Sequence, residues 1–211
     1  GGAGPACSVG DRRGIIPPRM PPTEARSGEW DSMASLANRD GNLFDAGMSS
    51  TDRKTRQIES LYRISSLVGE IEDPQEALVS ILQEMVDVFQ ATSASVALIH
   101  PDSRELRIEA SCGLPDEVID FPLNLGAGVT GWVALHGETL LVSDTQADPR
   151  YVSLRPDVRS ELAVPMEIRG QTIGVVNIDS DQPDNFSEDD VMLLRLLTRE
   201  ATRAIQQLWM G

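Results

Sequence analysis

The sequence predicts an α+β fold in which helices gather mainly on one face of an antiparallel sheet. Apolar residues recur at steps of three and four near both ends of the globular part, as they do in helices. Short runs between these segments alternate apolar and polar residues, as half-buried strands do. The elements follow the order helix, helix, strand, strand, mixed connection, strand, strand, helix, and this order favours the α+β class.

The chain divides into a tail over residues 1–50 and one globular domain over residues 51–211. Residues 1–47 contain eight Gly and five Pro but few apolar residues. Such a composition buries too little apolar surface to offset the entropy of ordering, so it predicts a disordered tail. Because the sequence starts with Gly, we expect Met33 or Met48 to be the natural start.

Composition limits the partners and the compartment of the protein. The formal net charge is −15, which disfavours binding to nucleic acid or to an anionic membrane surface. The apolar runs are too short to cross a bilayer, so we expect a soluble protein. The only cysteines, Cys7 and Cys112, suggest neither a disulfide framework nor a metal site, and a reducing cytoplasm fits them best.

Three helices follow from the periodicity. The segment TRQIESLYRISSLVGEI carries two adjacent apolar stripes, formed by Ile58, Leu61, Ser65 and Val68 and by Leu61, Ile64, Val68 and Ile71. One stripe suits the sheet and the other a second copy, although the tail or the next helix is an alternative cover. Asp73 and Pro74 predict the start of the second helix, and Ser187 predicts the start of a long final helix.

The strands form two hairpins joined by a long connection. SASVALIH and ELRIEASC make the first hairpin, and SELAVPM and GVVNIDS make the second. The connection contains a short helix near Val129 to His136, the strand TLLV and a polar loop over residues 144–159. A connection of this length inside a compact domain is usually functional.

Polar residues on one face of the second hairpin predict a ligand pocket. Alternation puts Leu162, Val164 and Ile178 against the helices and puts Glu161, Asn177 and Asp179 on the opposite face, where the small Ala163 leaves room. Such a hollow suits a ligand with an amine or several hydroxyls. The alternative is a face that only meets water, with Asp179 capping a turn. Outside the hairpin, we expect ligand contacts from Trp132, Asp144 and Tyr151, with ordinary packing as the alternative for both aromatic residues.

Several motifs together resemble the GAF domain family, small-molecule sensor modules related in fold to PAS domains. The resemblance covers roughly residues 56–208 and rests on GAGVTGWVALHGETLLVSD, DPRY, SELAVPM, GQTIGVVNIDSD and FSEDD. It implies a central antiparallel sheet, with the first and last helices on one face and a pocket between the other face and the long connection. It also implies parallel dimers through the terminal helices.

Subgroups of that family make further comparisons possible. Free methionine-R-sulfoxide reductases resemble this chain around Ser160 and Glu161, but Leu154 and Thr130 stand where that subgroup has cysteines, and Asn177 replaces an aspartate. The cyclic-nucleotide pattern is matched at Phe186 and Asp190, is interrupted by Val191, and leaves Lys54 as the domain's only lysine. The Cys-His attachment site for a bilin is absent. His100 and His136 stand apart, so we expect no cofactor and no metal.

These observations lead to a hypothesis of a non-enzymatic GAF sensor domain. It would bind an unidentified small molecule and signal through its terminal helices, as a homodimer, to a fused or separate effector. A dimerisation scaffold with a vestigial pocket is the alternative. A cyclic-nucleotide-binding domain and a methionine sulfoxide reductase-like enzyme are less favoured.

Overall fold

The computed structural model describes residues 5–10, 55, 58–60, 62–64, 66, 71–152 and 155–210 of the 211-residue chain. Its helices are α1 (Pro74–Phe89), α2 (Asp116–Ile119), α3 (Gly128–His136) and α4 (Glu188–Met210). Its strands are β1 (Cys7–Val9), β2 (Ser93–Ile99), β3 (Glu105–Cys112), β4 (Leu123–Asn124), β5 (Leu140–Val142), β6 (Ser160–Ile168) and β7 (Gln171–Ser180).

The strands form one antiparallel sheet in the order β1-β3-β2-β7-β6-β5, with β4 also paired to β3. Helices α1 and α4 cover one face, where Leu162, Val164 and Ile178 join the larger apolar cluster. Helix α3 packs on the other face, over a smaller cluster that includes Ala163 and Val175. The predicted α+β class and the helix-backed face of the sheet are confirmed.

The helix starts use the caps that the sequence predicts. The Asp73 side chain accepts a hydrogen bond from the Gln75 backbone N–H at 2.9 Å, just before Pro74 begins α1. At α4, the Asp190 carboxylate accepts hydrogen bonds from the Ser187 backbone N–H at 2.8 Å and from the Ser187 hydroxyl at 2.6 Å. These side chains satisfy donors that a helix start leaves unpaired.

The predicted first helix is described only in part. Residues 55, 58–60, 62–64 and 66 are helical, whereas Leu61, Ser65 and Val68 lie outside the described residues. Ile64 is fully buried in the larger cluster, and Ile58 and Tyr62 are 68% and 77% exposed. One predicted stripe therefore contributes to the core, and the Ile58 side of the helix faces away from it.

The amino-terminal segment differs from the prediction in two ways. Residues 7–9 were expected in a disordered tail, yet they form β1 on the edge of β3. The pairing register places Cys7 opposite Cys112, and a disulfide joins them. The prediction of no disulfide is therefore wrong, because sequence spacing does not reveal strand partners 105 residues apart. Because the two cysteines are joined, they no longer favour a reducing compartment. A cytoplasmic location therefore stays a prediction.

No helix within the described ranges has both the length and the apolar character needed to span a bilayer.

The close approach of α3 to β4 gives a testable consequence. A Cβ at Gly131 would overlap the Asn124 carbonyl oxygen. Alanine normally favours a helix interior by about 1 kcal/mol over glycine, but overpacking costs about 1–3 kcal/mol. We therefore expect Gly131→Ala to lower the free energy of unfolding, measured by urea denaturation. Gly170→Ala is the control for backbone strain alone, because Gly170 has a φ of +75° and nothing within 4 Å of the added Cβ. A more stable Gly131→Ala protein would contradict the close approach.

Candidate functional site

A cavity of about 180 Å³ lies between the α3 side of the sheet and the long connection. Its floor comes from β2, β6 and β7, one wall from the start of α3, and another from the segment around α2 and β4. The polar residues that line it are Ser95, Asn124, Thr130, Tyr151, Arg155, Glu161, Asn177 and Asp179. The apolar wall includes Ile108, Leu114, Val118, Phe121 and Val158. A mostly apolar hollow with a few convergent polar groups is the usual form of a small-molecule site.

Strand pairing brings the acidic residues of the floor together. In the β6–β7 register, Glu161 lies opposite Asp179 and Ala163 lies opposite Asn177. Side chains directly opposite on one face of a sheet are close neighbours, so two carboxyl groups share this end of the cavity. Both carboxyl groups are buried, and Glu161 is only 6% exposed. Their electrostatic environments nevertheless differ.

Asp179 is neutralised within the protein. The Arg155 Nη1 lies 3.2 Å from Asp179 Oδ1, and the Ser93 hydroxyl donates a 2.6 Å hydrogen bond to Oδ2. The other terminal nitrogen of Arg155 donates to Asp157 at 2.6 Å. Burial raises the pKa of Asp179, while Arg155 and Ser93 act in the opposite direction. Arg155 therefore ties the loop before β6 to the floor of the cavity.

Glu161 has no such cation. It takes part in no ion pair among the described residues. Burial, followed by the charge of Asp179, raises the pKa of Glu161 to about 8, despite a hydrogen bond from Asn177 and the nearby charge of Arg155. Buried carboxylates are normally matched by donors or cations, so this group is suited to meet a charged or hydrogen-bonding ligand.

The cavity contains additional unused hydrogen-bonding capacity. Arg155 Nε and Asn177 Oδ1 are both buried and have no partner within the described protein. Most buried polar atoms in folded proteins are hydrogen-bonded, so exceptions beside a cavity point to a missing partner. An amide oxygen accepts and a guanidinium nitrogen donates. Beside the cavity there are thus one acceptor and one donor that lack partners within the described protein.

Tyr151 lines the cavity and is fixed by the loop that precedes β6. Its hydroxyl donates a hydrogen bond to the Arg155 carbonyl oxygen at 2.8 Å. Burial, together with the charges of Glu161 and Asp179, raises the pKa of Tyr151 to about 12. The phenol is therefore neutral at physiological pH. Its ring closes one side of the cavity.

Three residues expected at the site do not line this cavity. Trp132 stacks on His136 with ring centroids 4.2 Å apart, and the Arg150 guanidinium lies 5.4 Å from the Trp132 ring centroid. Asp144 pairs with Arg159 at 3.4 Å. Ala163 is fully buried in the smaller apolar cluster on the α3 side of the sheet. Glu161, Asn177, Asp179 and Tyr151 are brought together, so the second hairpin and part of the loop meet at the cavity.

Sequence reasoning missed the two residues that organise the acidic end. Arg155 stands in a polar loop as one charge among several, and Ser93 begins a strand whose apolar character dominates its pattern. Their partner, Asp179, lies 24 and 86 residues away in the chain. The sequence did offer one signal, because Arg155 precedes a proline in a polar loop of a strongly acidic domain. It did not specify which carboxylate the Arg would contact.

The family model of the GAF domain matches residues 72–206, which span every element from α1 to most of α4. The chain belongs to the GAF domain family. The shared fold includes both the sheet and the long connection that encloses the cavity.

The chain is similar to a regulatory protein and to a reductase of solved structure. The chain is 26% identical over 152 residues to the Nif-specific regulatory protein of Azospirillum brasilense, and the match covers 67% of the chain but only 24% of that protein. The free methionine-R-sulfoxide reductase of Neisseria meningitidis, solved in complex with its substrate, is 25% identical with a TM-score of 0.69, covering 78% of this chain and 96% of that one.

The GAF domain of an Acinetobacter phosphoenolpyruvate-protein phosphotransferase has the same fold, at 23% identity and a TM-score of 0.65, and the match covers 76% of this chain and 95% of that one. The GAF match and the regulatory relative indicate a sensor or regulatory domain.

Several of the residues that separate the GAF subgroups lie within the described ranges. Thr130 lines the cavity, and Leu154 lies outside the described residues. Cys112 is in the helix-side cluster, joined to Cys7, and no cysteine is among the described residues that line the cavity. Phe186 packs in the same cluster and Asp190 caps α4, so neither reaches the ligand space. Lys54 is outside the described part of the chain.

Within the described ranges, no group of three or more His, Cys, Asp or Glu residues is arranged to hold a metal ion. His136 instead contacts the Trp132 carbonyl oxygen through Nδ1 at 2.8 Å.

The raised pKa of Glu161 predicts an unusual dependence of stability on pH. Between the ordinary value of 4.5 and about 8, the folded protein holds a proton that the unfolded chain has lost. Stability therefore falls as pH rises through this window, by at most about 1.4 kcal/mol per pH unit from this group. We expect Glu161→Gln to remove this pH dependence of the free energy of unfolding. The stability of the variant relative to the parent should therefore be greater at pH 8 than at pH 5. Urea unfolding across pH measures it, with the exposed Glu167→Gln as control. Parallel pH profiles for parent and Glu161→Gln would contradict the assignment.

The Arg155 ion pair predicts a large stability effect for a loop residue. Arg155→Met leaves Asp179 as a buried carboxylate without its cation, which costs about 3–5 kcal/mol in comparable buried pairs. Arg150→Met removes a partly exposed pair with Asp148 and is expected to cost less than about 1 kcal/mol. Chemical denaturation at neutral pH compares the two variants. Adding Asp179→Asn to Arg155→Met should recover part of the loss; equal losses for Arg155→Met and Arg150→Met would refute the pairing.

Proposed function

We propose that this GAF domain is a non-enzymatic sensor that binds a small molecule carrying a protonated amine or several hydroxyl groups. The observation that carries the proposal is Glu161, a buried carboxyl group that faces the cavity without a cation from the described protein. A ligand ammonium group would supply the missing charge. Hydroxyl groups would satisfy the carboxyl group by donating hydrogen bonds.

The neighbouring groups narrow the shape of such a ligand. Asn177 Oδ1 would accept a second hydrogen bond from the same polar end, and Arg155 Nε would donate one to an oxygen of the ligand. The apolar wall around Val118 and Phe121 would bury an aliphatic or aromatic part. The Neisseria reductase of the same fold is described with its substrate bound, which supports screening free amino acids first.

The absence of a cavity thiol among the described residues supports a binding role rather than sulfoxide reduction. That chemistry needs a cysteine that becomes oxidised and a second thiol that resolves it. The cysteines of this chain are joined to each other on the helix side of the sheet. A methionine sulfoxide reduction assay on the purified chain tests this part of the proposal, and turnover would refute it.

Signal transmission would use the alternation of side chains between the two faces of the sheet along β6. Glu161 faces the cavity, while the next residue, Leu162, packs in the cluster beneath α1 and α4. A ligand that draws Glu161 and the Arg155 loop together would bias the packing of Leu162 against the helices. Ligand binding would then shift the population of helix arrangements in a homodimer and pass the effect to a fused or separate effector.

Binding measurements test the ligand class directly. Amino acids, other amines, polyols, nucleotides and cyclic nucleotides are screened by thermal shift. A specific ligand at a hundred times its dissociation constant stabilises by about 2.7 kcal/mol. An amine ligand should release a proton near pH 7, because Glu161, whose pKa is raised to about 8, must ionise to bind it. Calorimetry in buffers with different ionisation heats detects that proton.

A matched pair of variants tests whether Glu161 is the residue that recognises the ligand. Glu161→Gln should abolish binding of an amine, whereas Glu109→Gln should retain it, because Glu109 is equally buried but lines a different hollow. Unchanged binding by Glu161→Gln would refute the proposed recognition. A lack of stabilisation by every ligand class would favour the alternative of a dimerisation scaffold with a vestigial pocket.

A further inference from the structure

Strand β1 is an addition at the edge of the sheet, and a disulfide holds it there. Its residues lie outside the range 72–206 that matches the GAF family model, whereas β2 to β7 lie within that range. Strands β2 to β7 therefore form the sheet of the family domain without β1. The bond between Cys7 and Cys112 joins the added strand to β3 across 105 positions of the chain.

The non-covalent pairing of β1 with β3 is short. Three residue pairs are in register. One backbone hydrogen bond flanks them on each side, from the Gly113 N–H to the Ala6 carbonyl oxygen at 2.9 Å and from the Gly10 N–H to the Glu109 carbonyl oxygen at 2.6 Å. The apolar side chains of β1 are only partly buried against the larger cluster. Short strand pairs with little packing are marginally stable in water, so β1 depends on its covalent link.

The two sulfur atoms of the link differ in their access to solvent. Cys112 is fully buried, whereas Cys7 is partly exposed, so a thiolate from solvent reaches Cys7 first. The Cys7 Sγ lies 3.1 Å from the Gln83 amide oxygen, and the Cys112 Sγ lies 3.9 Å from the Val79 carbonyl oxygen. Each sulfur thus has an acceptor beside it once it carries a proton, and reduction leaves no buried thiol without a partner.

We propose that the Cys7–Cys112 disulfide is a reversible thiol–disulfide switch that holds β1 on the sheet when oxidised and releases it when reduced by a dithiol carrier. A carrier thiolate attacks the Cys7 Sγ, and the protein disulfide breaks as Cys112 leaves as a thiolate and takes up a proton. The second carrier thiol then displaces Cys7 as a thiol and closes the carrier's own disulfide. Two electrons pass to the protein, and the oxidised carrier reverses the exchange.

Such a switch gives the domain an input that is separate from its cavity. In the cytoplasm, which stays the predicted location, disulfides are rare, and those that form are usually transient or redox-sensing. The inference does not require the ligand of the proposed function, because the exchange involves only the two cysteines and the carrier.

A row of paired residues connects β1 to the floor of the cavity. The Ser8 and Ser111 hydroxyl oxygens lie 3.1 Å apart, and Ser111 is opposite Ser95 in the β2–β3 pair. Ser95 lines the cavity and is opposite Asn177, which also lines it. Directly opposite residues point to the same face of a sheet and contact each other. Release of Ser8 would therefore reach Asn177 through the two intervening strands.

Hydrogen exchange on the full chain tests the switch. After reduction with dithiothreitol under native conditions, we expect the amides of Gly10 and Gly113 to exchange at least about tenfold faster, because their hydrogen bonds join β1 to β3. Amides of β6 and β7 should keep their protection, and oxidised dithiothreitol should restore the original rates. Trapping with iodoacetamide followed by mass spectrometry counts the free thiols.

The variant Cys7→Ser is the matched control, because it removes the partly exposed sulfur and leaves the buried one. Its Gly113 amide should exchange as in the reduced parent and should not respond to dithiothreitol. Unchanged Gly113 protection in a parent with both thiols trapped would overturn the inference. Loss of protection throughout the sheet would also overturn it, because the disulfide would then support the whole fold rather than β1.

The side-chain amide resonance of Asn177 measures whether the change reaches the cavity. It should shift when the parent is reduced and stay fixed when Cys7→Ser is treated in the same way. The side-chain amide of Gln206, on α4, should stay fixed in both. An unmoved Asn177 resonance in a protein that releases β1 would overturn the coupling. Neither measurement uses a ligand, so failure of the switch and failure of the sensor proposal are distinguishable.

Discussion

The pairing of β6 with β7 is the constraint on which the rest of the molecule depends. Adjacent residues of a strand point to opposite faces, so the register that sets Glu161 against Asp179 also sets Leu162 against Ile178. One face then holds the apolar core beneath α1 and α4, and the other holds the acidic end of the cavity. A slip of one residue would bury carboxylates under the helices and expose leucine to the ligand space.

The pairing of β6 with β7 makes the carboxyl groups of Glu161 and Asp179 neighbours. The long connection supplies a cation to only one of them. Arg155 reaches the floor and neutralises Asp179, with Ser93 completing the contact. Glu161 is left without a cation from the described chain, and its pKa rises to about 8. The protein thus stabilises one buried acid internally and leaves the other dependent on its proton or on a ligand. The loop before β6 thus supplies one cation to the two acids at the floor of the cavity.

Helix α4 joins the core to the surface in the same way that β6 joins the core to the cavity. Leu194, Leu197 and Ala201 are fully buried against the sheet. The opposite side carries the exposed charges of Glu188, Arg195, Arg199 and Arg203. Because one helix bears both surfaces, a change in its packing on the sheet would also move these charges.

Local patterns in the sequence determined the order of the longer helices and strands, both capped helix starts and the two faces of the second hairpin, but not the short elements β1, α2 and β4. These features depend on residues close together in the chain, such as Ser187 with Asp190. Tertiary structure alone decided the contacts between distant segments. Cys7 meets Cys112 through strand pairing, and Arg155 selects Asp179 rather than Glu161 because of the loop's path. Trp132 stacks on His136 and lies beside Arg150 instead of lining the cavity. Alternation and periodicity specify which way a side chain points, but only the packed chain specifies what it meets there.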